Sequence, residues 1–151
     1  MSTIPELSSL AEIYDSNILA KEESRWSRLR ESFGKVYGTE PAFVARSPGR
    51  VNLIGEHVDY SNFACFPMAI SKDVLLAVEP TSEAKVYLSN VNSQKFEKRE
   101  FEIPANGHVE IDRTKTEWSN YFKAGLRTAA TQLEKSSKKL KGMKVTWMLE
   151  K

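Results

Sequence analysis

The sequence predicts an α+β fold in which one mixed β-sheet packs against helices, and three observations support this prediction. Apolar residues recur at helical spacing near the N-terminus and again after residue 117. Short apolar or alternating runs of strand length lie between these segments and at the C-terminus. The 151 residues match the size of one domain and contain no repeat of solenoid period, so we expect a single sheet.

Helices are predicted in the N-terminal segment, residues 1–40, which precedes a second segment, residues 41–151. A helix start at residues 5–9 is followed by apolar side chains at helical spacing up to Ile18. A second amphipathic helix is predicted over residues 22–37, and Gly38 follows where a C-terminal cap is expected. Two helices should therefore precede the first strand.

Strands are predicted in the middle of the chain. Residues 43–46 are β-prone, Ser-Pro-Gly at 47–49 predicts a turn, and residues 51–54 form the returning strand. Further strands are predicted at 65–70, 74–78 and 85–88, with short edge strands at 96–101 and 109–112. Together these segments would build a sheet of several strands.

A third helix is predicted from Trp118 to Leu133, where apolar residues again recur at helical spacing. A Lys- and Ser-rich loop follows at residues 135–141, and residues 145–150 alternate as in a strand. Natural domains seldom finish on a hydrophobic strand, because its free end invites mispairing. We therefore interpret Lys151 as a truncation point and expect a sheet that is incomplete at the C-terminus.

The composition favours a small-molecule partner. Lys and Arg number 22 against 20 Asp and Glu, so no large basic field suggests a nucleic acid or an anionic membrane. Cys65 is the one cysteine, which excludes an internal disulfide. The N-terminus lacks the features of a secretory signal, and no segment has the length of a membrane span. A cytoplasmic protein is expected.

Residues 47–60 hold the densest group of chemically active side chains: Arg50, Asn52, Glu56, His57 and Asp59. Gly55 interrupts them and permits a sharp turn or a close approach to a ligand. Carboxylates accept hydrogen bonds from sugar hydroxyls, while His and Arg donate, so this set suits a polyol. The same residue types also suit a structural role, in which Arg50 pairs with Glu56 or Asp59 and His57 binds a backbone carbonyl.

Two other kinds of site fit the sequence less well. A metal would need more ligands than Glu56, His57 and Asp59, and His108 is isolated in a predicted turn, so no metal site is predicted. Gly34-Lys35 does not continue into a Walker phosphate loop, because Val36 stands where Ser or Thr is required.

Residues 48–60 spell Pro-Gly-Arg-Val-Asn-Leu-Ile-Gly-Glu-His-Val-Asp-Tyr, which resembles the galactokinase signature of the GHMP kinase superfamily. The resemblance extends to Pro-Met-Ala-Ile at 67–70 and to Trp-Ser-Asn-Tyr-Phe-Lys-Ala-Gly at 118–125, as in fungal members. Many galactokinases follow the signature tyrosine with Asn-Gly, whereas Ser-Asn-Phe stands here at 61–63. This departure changes a turn and none of the proposed ligands.

The resemblance implies an activity and roles for the site residues. Galactokinases transfer a phosphoryl group from ATP, with Mg²⁺, to the anomeric hydroxyl of D-galactose and release galactose 1-phosphate. Arg50 would assist catalysis beside the catalytic aspartate and would also bind the substrate, as would Glu56, His57 and Asp59, which contact the galactose hydroxyls. The family's phosphate loop and catalytic aspartate follow a strand similar to residues 145–150, so the present chain would be an inactive N-terminal, sugar-binding fragment.

Two further expectations come from the resemblance. The helix that begins at Trp118 approaches the adenine in relatives, so Trp118 would contact the nucleotide unless it packs in the core, as such tryptophans often do. The fungal branch also contains galactokinase-like galactose sensors that bind a transcriptional inhibitor protein. The sequence does not separate this sensor alternative from the enzyme.

Overall fold

The computed structural model describes residues 4–149. Its helices are α1 (Ser16–Tyr37) and α2 (Ser119–Glu134), and single 3₁₀ turns occur at Leu10–Glu12 and Asp59–Ser61. The strands are β1 (Phe43–Ile54), β2 (Phe66–Thr81), β3 (Lys85–Asn90), β4 (Arg99–Glu102) and β5 (Gly142–Leu149). Four strands thus follow one another between the two helices, as is typical of an α+β fold.

The five strands form one mixed sheet in the order β1-β2-β5-β3-β4. β5 pairs in parallel with β3 and antiparallel with β2, while the β1–β2 and β3–β4 pairs are antiparallel. Helix α2 packs on one face of the sheet and α1 on the other. The predicted mixed sheet with packed helices is therefore confirmed.

Each face of the sheet has its own apolar core, and β5 contributes to both. Val145 packs with Leu126 of α2, whereas Met148 packs with Leu29 and Phe33 of α1, which are completely buried. Alternate residues of a strand point to opposite faces, so a strand at the centre of a two-sided sheet buries both sets. This explains why the C-terminal strand is so rich in large apolar residues.

The N-terminal helix predicted over residues 5–18 is wrong. Ser9 is extended and forms a capping box with Glu12, which starts only a short 3₁₀ turn that has Ile13 as its C-cap residue. Asp15 is extended again and α1 begins at Ser16, six residues before its predicted start. Its predicted end is confirmed, because Gly38 adopts φ 72° and donates its N–H to the Gly34 carbonyl.

The turn predicted at residues 47–49 is also wrong, since β1 runs unbroken through it and β2 joins the two segments predicted at 65–70 and 74–78. The register shifts instead: Pro48 lies opposite Asp73 and Arg50 opposite Ala69, so residues 70–72 face Gly49 alone. The Pro and Gly are thereby accommodated in an irregular ladder rather than in a turn.

The remaining predictions differ at element ends. β4 covers only the second half of the predicted strand at 96–101, and residues 109–112 form no strand, although Val109 is buried in the core beneath α2. Helix α2 and the terminal strand are confirmed, while Glu150 and Lys151 lie outside the described residues. The segment boundary at residues 40 and 41 stays a prediction.

Among the described helices, none is both long and apolar enough to cross a membrane.

Candidate functional site at the tip of the first hairpin

Strands β1 and β2 form a long hairpin. Within residues 4–149, β5 pairs with β2 from Val74 to Thr81, while Asp73 and residues 66–69 of β2 pair with β1. We call the end of this hairpin, residues 49–69, the hairpin tip, and it contains most of the polar segment singled out in the sequence.

Three unusual backbone conformations shape the loop at the end of the tip. Gly55 has φ 90°, His57 has φ 54°, and Asn62 ends the short 3₁₀ turn with φ 63°. Left-handed conformations are uncommon outside glycine and cluster where a loop has to present side chains. The loop therefore reverses direction within a few residues and presents Glu56, His57 and Asp59 from successive positions.

A chain of hydrogen bonds runs along the inside of this loop. The Arg50 guanidinium donates from Nη1 to the Asn52 amide oxygen over 3.2 Å, and the Asn52 amide donates to the Gly55 carbonyl over 3.4 Å. The Cys65 thiol donates to the same carbonyl over 3.0 Å. Asn52 thus connects Arg50 to the turn that precedes Glu56, a role the sequence did not predict for it.

Glu56, His57 and Asp59 are exposed, and within residues 4–149 no hydrogen bond or ion pair engages their side chains. The ion pair of Arg50 with Glu56 or Asp59, considered as a structural role, does not form among these residues. His57 has one ring neighbour, Tyr60, at a centroid distance of 6.4 Å. Their hydrogen-bonding capacity is consequently available to a ligand.

The other predicted site residues lie elsewhere. Trp118 precedes α2, and its ring packs 5.7 Å from Phe96 and 6.0 Å from Trp147, with its indole nitrogen buried and lacking a hydrogen-bond partner. These contacts describe a core residue, and its contact with a nucleotide stays a prediction. His108 is exposed in a turn far along the chain from the loop. Within the described part of the chain, no group of three or more His, Cys, Asp or Glu could hold a metal ion.

A buried ionic network at the root of the tip was missed by the sequence analysis. Asp73 is inaccessible to solvent and accepts hydrogen bonds from Arg25 of α1 and from Arg46 Nε of β1, the latter over 2.6 Å. The Tyr14 hydroxyl donates to the same carboxylate over 3.2 Å. One sequence signal could have found it, since Arg46 and Asp73 interrupt otherwise β-prone runs and a charge buried in a sheet needs a partner.

These contacts set the charge states of the network. Burial acts to raise the pKa of Asp73, but hydrogen bonds from Arg25 and Arg46 outweigh it and hold the pKa below its usual value. Burial likewise raises the pKa of the Tyr14 hydroxyl, assisted by the Asp73 charge. Asp73 is therefore an anion and Tyr14 a neutral donor near neutral pH.

Large apolar side chains surround the polar loop and are also exposed: Val51, Leu53, Ile54, Tyr60, Phe63, Phe66 and Met68. Ile54 and Tyr60 retain 71% and 73% of their accessible surface, and grouped exposed apolar side chains often mark contact surfaces. The hairpin tip therefore has the character of a surface that contacts a ligand or another part of a larger protein.

Comparison with known proteins identifies the same region. Residues 31–80 match the galactokinase galactose-binding signature, a span that contains the whole hairpin tip. The galactokinase of Saccharomyces cerevisiae is 42% identical over 134 residues, which cover 87% of this chain and 25% of that protein. The chain thus spans about a quarter of the length of this relative.

Solved structures agree with this match. The Lactococcus lactis galactokinase, crystallised in complex with galactose, superposes with a TM-score of 0.63 and 29% identity over 84% of this chain and 31% of that one. The mevalonate kinase of Methanococcus jannaschii superposes with a TM-score of 0.50 at 18% identity over 71% of this chain and 32% of that one, which supports the fold alone. The mixed sheet is therefore shared with both of these kinases.

Proposed function

Because the chain belongs to the galactokinase family, we propose that the whole protein containing it transfers a phosphoryl group from ATP to the anomeric hydroxyl of D-galactose and releases galactose 1-phosphate. One observation carries the proposal. The stretch matched by the galactose-binding signature contains the loop on which Glu56, His57 and Asp59 are exposed without internal partners. Polar side chains that a fold leaves unsatisfied on a shaped loop are suited to a polar ligand.

The three loop residues would bind the sugar. The carboxylates of Glu56 and Asp59 accept hydrogen bonds from galactose hydroxyls, and the imidazole of His57 donates one or accepts one according to its protonation. Charge-assisted bonds of this kind are about twice as strong as neutral ones, so the carboxylates would contribute most of the polar affinity. Their placement on one short loop allows several hydroxyls to be engaged together.

Arg50 would act on the reacting groups. It lies on β1 at the base of the loop and is oriented by Asn52. A guanidinium stays protonated and presents a planar fork of donors, which suits charge that develops on a phosphoryl group and its acceptor oxygen. Arg50 would therefore matter more in the transition state than in the bound ground state.

The nucleotide and its Mg²⁺ would be held by other parts of the whole protein. The described residues form no cluster suited to a metal ion, and the Trp118 ring packs against Phe96 and Trp147. We therefore assign no step to these groups on this chain, and we expect the 151 residues alone to show no phosphoryl transfer, since positioning of the γ-phosphate is most of the catalysis. A cytoplasmic location, where ATP is available, is part of the proposal.

The test is an assay of the whole protein with ATP and galactose that measures galactose 1-phosphate. Arg50→Lys should lower kcat while the galactose KM changes little, because it retains the charge and loses the planar fork. Arg30→Lys on the exposed face of α1 is the matched control and should behave as the unmodified protein. Galactose binding without any turnover would contradict the proposed activity. Turnover by the isolated 151 residues would contradict the proposal that other parts of the whole protein hold the nucleotide and Mg²⁺.

A further inference from the structure

The Asp73 network joins three parts of the chain next to the hairpin tip. Asp73 lies opposite Pro48, at the last regular β1–β2 pair before the register shifts. Its carboxylate binds Arg46 of β1, Arg25 of α1 and the Tyr14 hydroxyl of the N-terminal segment. The carboxylate therefore connects this position of β2 to the adjacent strand and to the helix behind the sheet.

Tyr14 and Arg25 are themselves held in place. The Trp26 indole donates to the Tyr14 hydroxyl over 3.3 Å, and Arg25 pairs with Glu22 over 3.0 Å. The Arg46 guanidinium also lies 5.2 Å from the centre of the Tyr14 ring. The network is consequently a rigid junction, with each partner of Asp73 fixed by a second contact.

The irregular ladder lies immediately beyond this junction. Residues 70–72 face Gly49 alone, and a Cβ at Gly49 would lie 2.9 Å from the Lys72 carbonyl oxygen and 3.1 Å from the Ile70 side chain. A register irregularity bends and twists the strand that contains it. The direction in which Arg50 and the loop leave the sheet is therefore decided between Pro48 and Arg50, next to Asp73.

The Asp73 contacts are well suited to setting that direction. Among the described residues, Asp73 connects β2 both to β1 and to α1. An ionic cluster confers little net stability over an apolar one in the same place, but its geometry is directional. Directional ionic contacts can therefore fix the relative orientation of β1, β2 and α1 more tightly than apolar packing would.

We infer that Asp73 is a positioning residue for the sugar-binding loop, through which Arg25, Arg46 and Tyr14 set the orientation of the hairpin tip. The inference rests on the proposed function for its effect on galactose, whereas the effect on the tip itself does not depend on it. The N-terminal segment thereby influences a loop more than forty residues away in the sequence, through the contact of Tyr14 with Asp73.

The experiment compares three variants of the whole protein. Asp73→Asn retains the shape and removes the charge, Tyr14→Phe removes one hydrogen bond, and Ser89→Ala is the matched control. Ser89 is equally buried and bonds to Thr146 at 2.8 Å in the middle of the sheet, without any contact with the tip. Hydrogen–deuterium exchange of residues 50–66 and the dissociation constants of galactose and ATP are measured for each.

We expect Asp73→Asn to speed exchange in the tip and to weaken galactose binding about three- to tenfold, with ATP binding unchanged within about twofold. Tyr14→Phe should give smaller changes in the same direction, and it remains informative if Asp73→Asn does not fold. Ser89→Ala should lower thermal stability without affecting the tip or galactose.

The outcomes separate the two hypotheses. Suppose that Asp73→Asn and Tyr14→Phe lower thermal stability but leave hydrogen exchange in the tip and galactose affinity the same as in Ser89→Ala. The network would then be purely structural, and the inference would be overturned. Absence of galactose binding in the unmodified protein would overturn the proposed function. Faster tip exchange in Asp73→Asn would still support the positioning role in that case.

Discussion

The Cys65 thiol donates a hydrogen bond to the Gly55 carbonyl oxygen over 3.0 Å and so closes the base of the loop that carries Glu56, His57 and Asp59. The two residues are also in backbone contact, because a Cβ at Gly55 would lie 2.9 Å from the Cys65 Cα and from the Ala64 carbonyl oxygen. Glycine is thus required at position 55 both for its φ of 90° and for space.

Gly55→Ala should therefore destabilise the loop by about 1–3 kcal/mol and weaken galactose binding in the whole protein. Chemical denaturation and a galactose titration measure the two effects. Gly125→Ala in α2 is the control, since a Cβ there meets nothing within 4 Å and alanine favours the helix. Equal behaviour of the two variants would show that the loop tolerates a left-handed alanine and would contradict the argument.

Asp59→Ala should weaken galactose binding more than ATP binding. The lost carboxylate leaves sugar hydroxyls unpaired in the complex, at a cost of about 1–3 kcal/mol. Separate calorimetric titrations of the whole protein with each ligand test this, and Glu31→Ala on the exposed face of α1 provides the matched loss of one carboxylate. Equal losses for both ligands would indicate a folding defect instead of a sugar contact.

Chelation of divalent ions should leave galactose affinity unchanged and abolish turnover. Hydrogen bonds from Glu56, His57 and Asp59 to hydroxyls need no ion, whereas phosphoryl transfer from ATP does. Calorimetry of the whole protein with galactose, with and without chelator, provides the measurement. If galactose affinity collapsed with chelator and returned with Zn²⁺ or Mn²⁺, an ion would be organising these side chains and the proposed ligand roles would be wrong.

Acid should remove a part of the stability that comes from Asp73. Its pKa is lower in the folded than in the unfolded state, so its contribution is complete above the unfolded value of about 3.9 and is lost as the pH falls through the folded value. The groups around it are Tyr14, Glu22, Arg25 and Arg46.

Urea unfolding of the whole protein between about pH 2.5 and 6 should therefore show a steeper loss of stability below about pH 4 than Asp73→Asn shows. The Asn variant has no carboxyl group at this position to protonate. Parallel curves for the two proteins over this range would mean that folding does not lower the pKa of Asp73, and its proposed ion pairs would then contribute no stability.

Several features were determined by the sequence itself. The end of α1 at Gly38, the course of α2 and the alternation of β5 follow from local periodicity and capping, which depend only on neighbouring residues. The polar loop could be recognised in the same way, because Arg50, Glu56, His57 and Asp59 lie within ten residues of one another. Their resemblance to the galactokinase signature then agreed with the comparisons.

Other features were decided only by the tertiary structure. Ser-Pro-Gly at residues 47–49 has the local signals of a turn. In the structure β1 continues through these residues and pairs with β2, and the irregularity is a shift of register between the two strands. Pairing with the partner strand therefore overrides the local preference for a turn. The first predicted helix is replaced by a short 3₁₀ turn, after which Tyr14 donates a hydrogen bond to Asp73, 59 residues away. Periodicity records which residues share a face of one element, but contacts between elements depend on how the sheet and the helices pack. The contacts of Asp73 with Arg25, Arg46 and Tyr14 are of this kind, and they therefore became visible only in the folded chain.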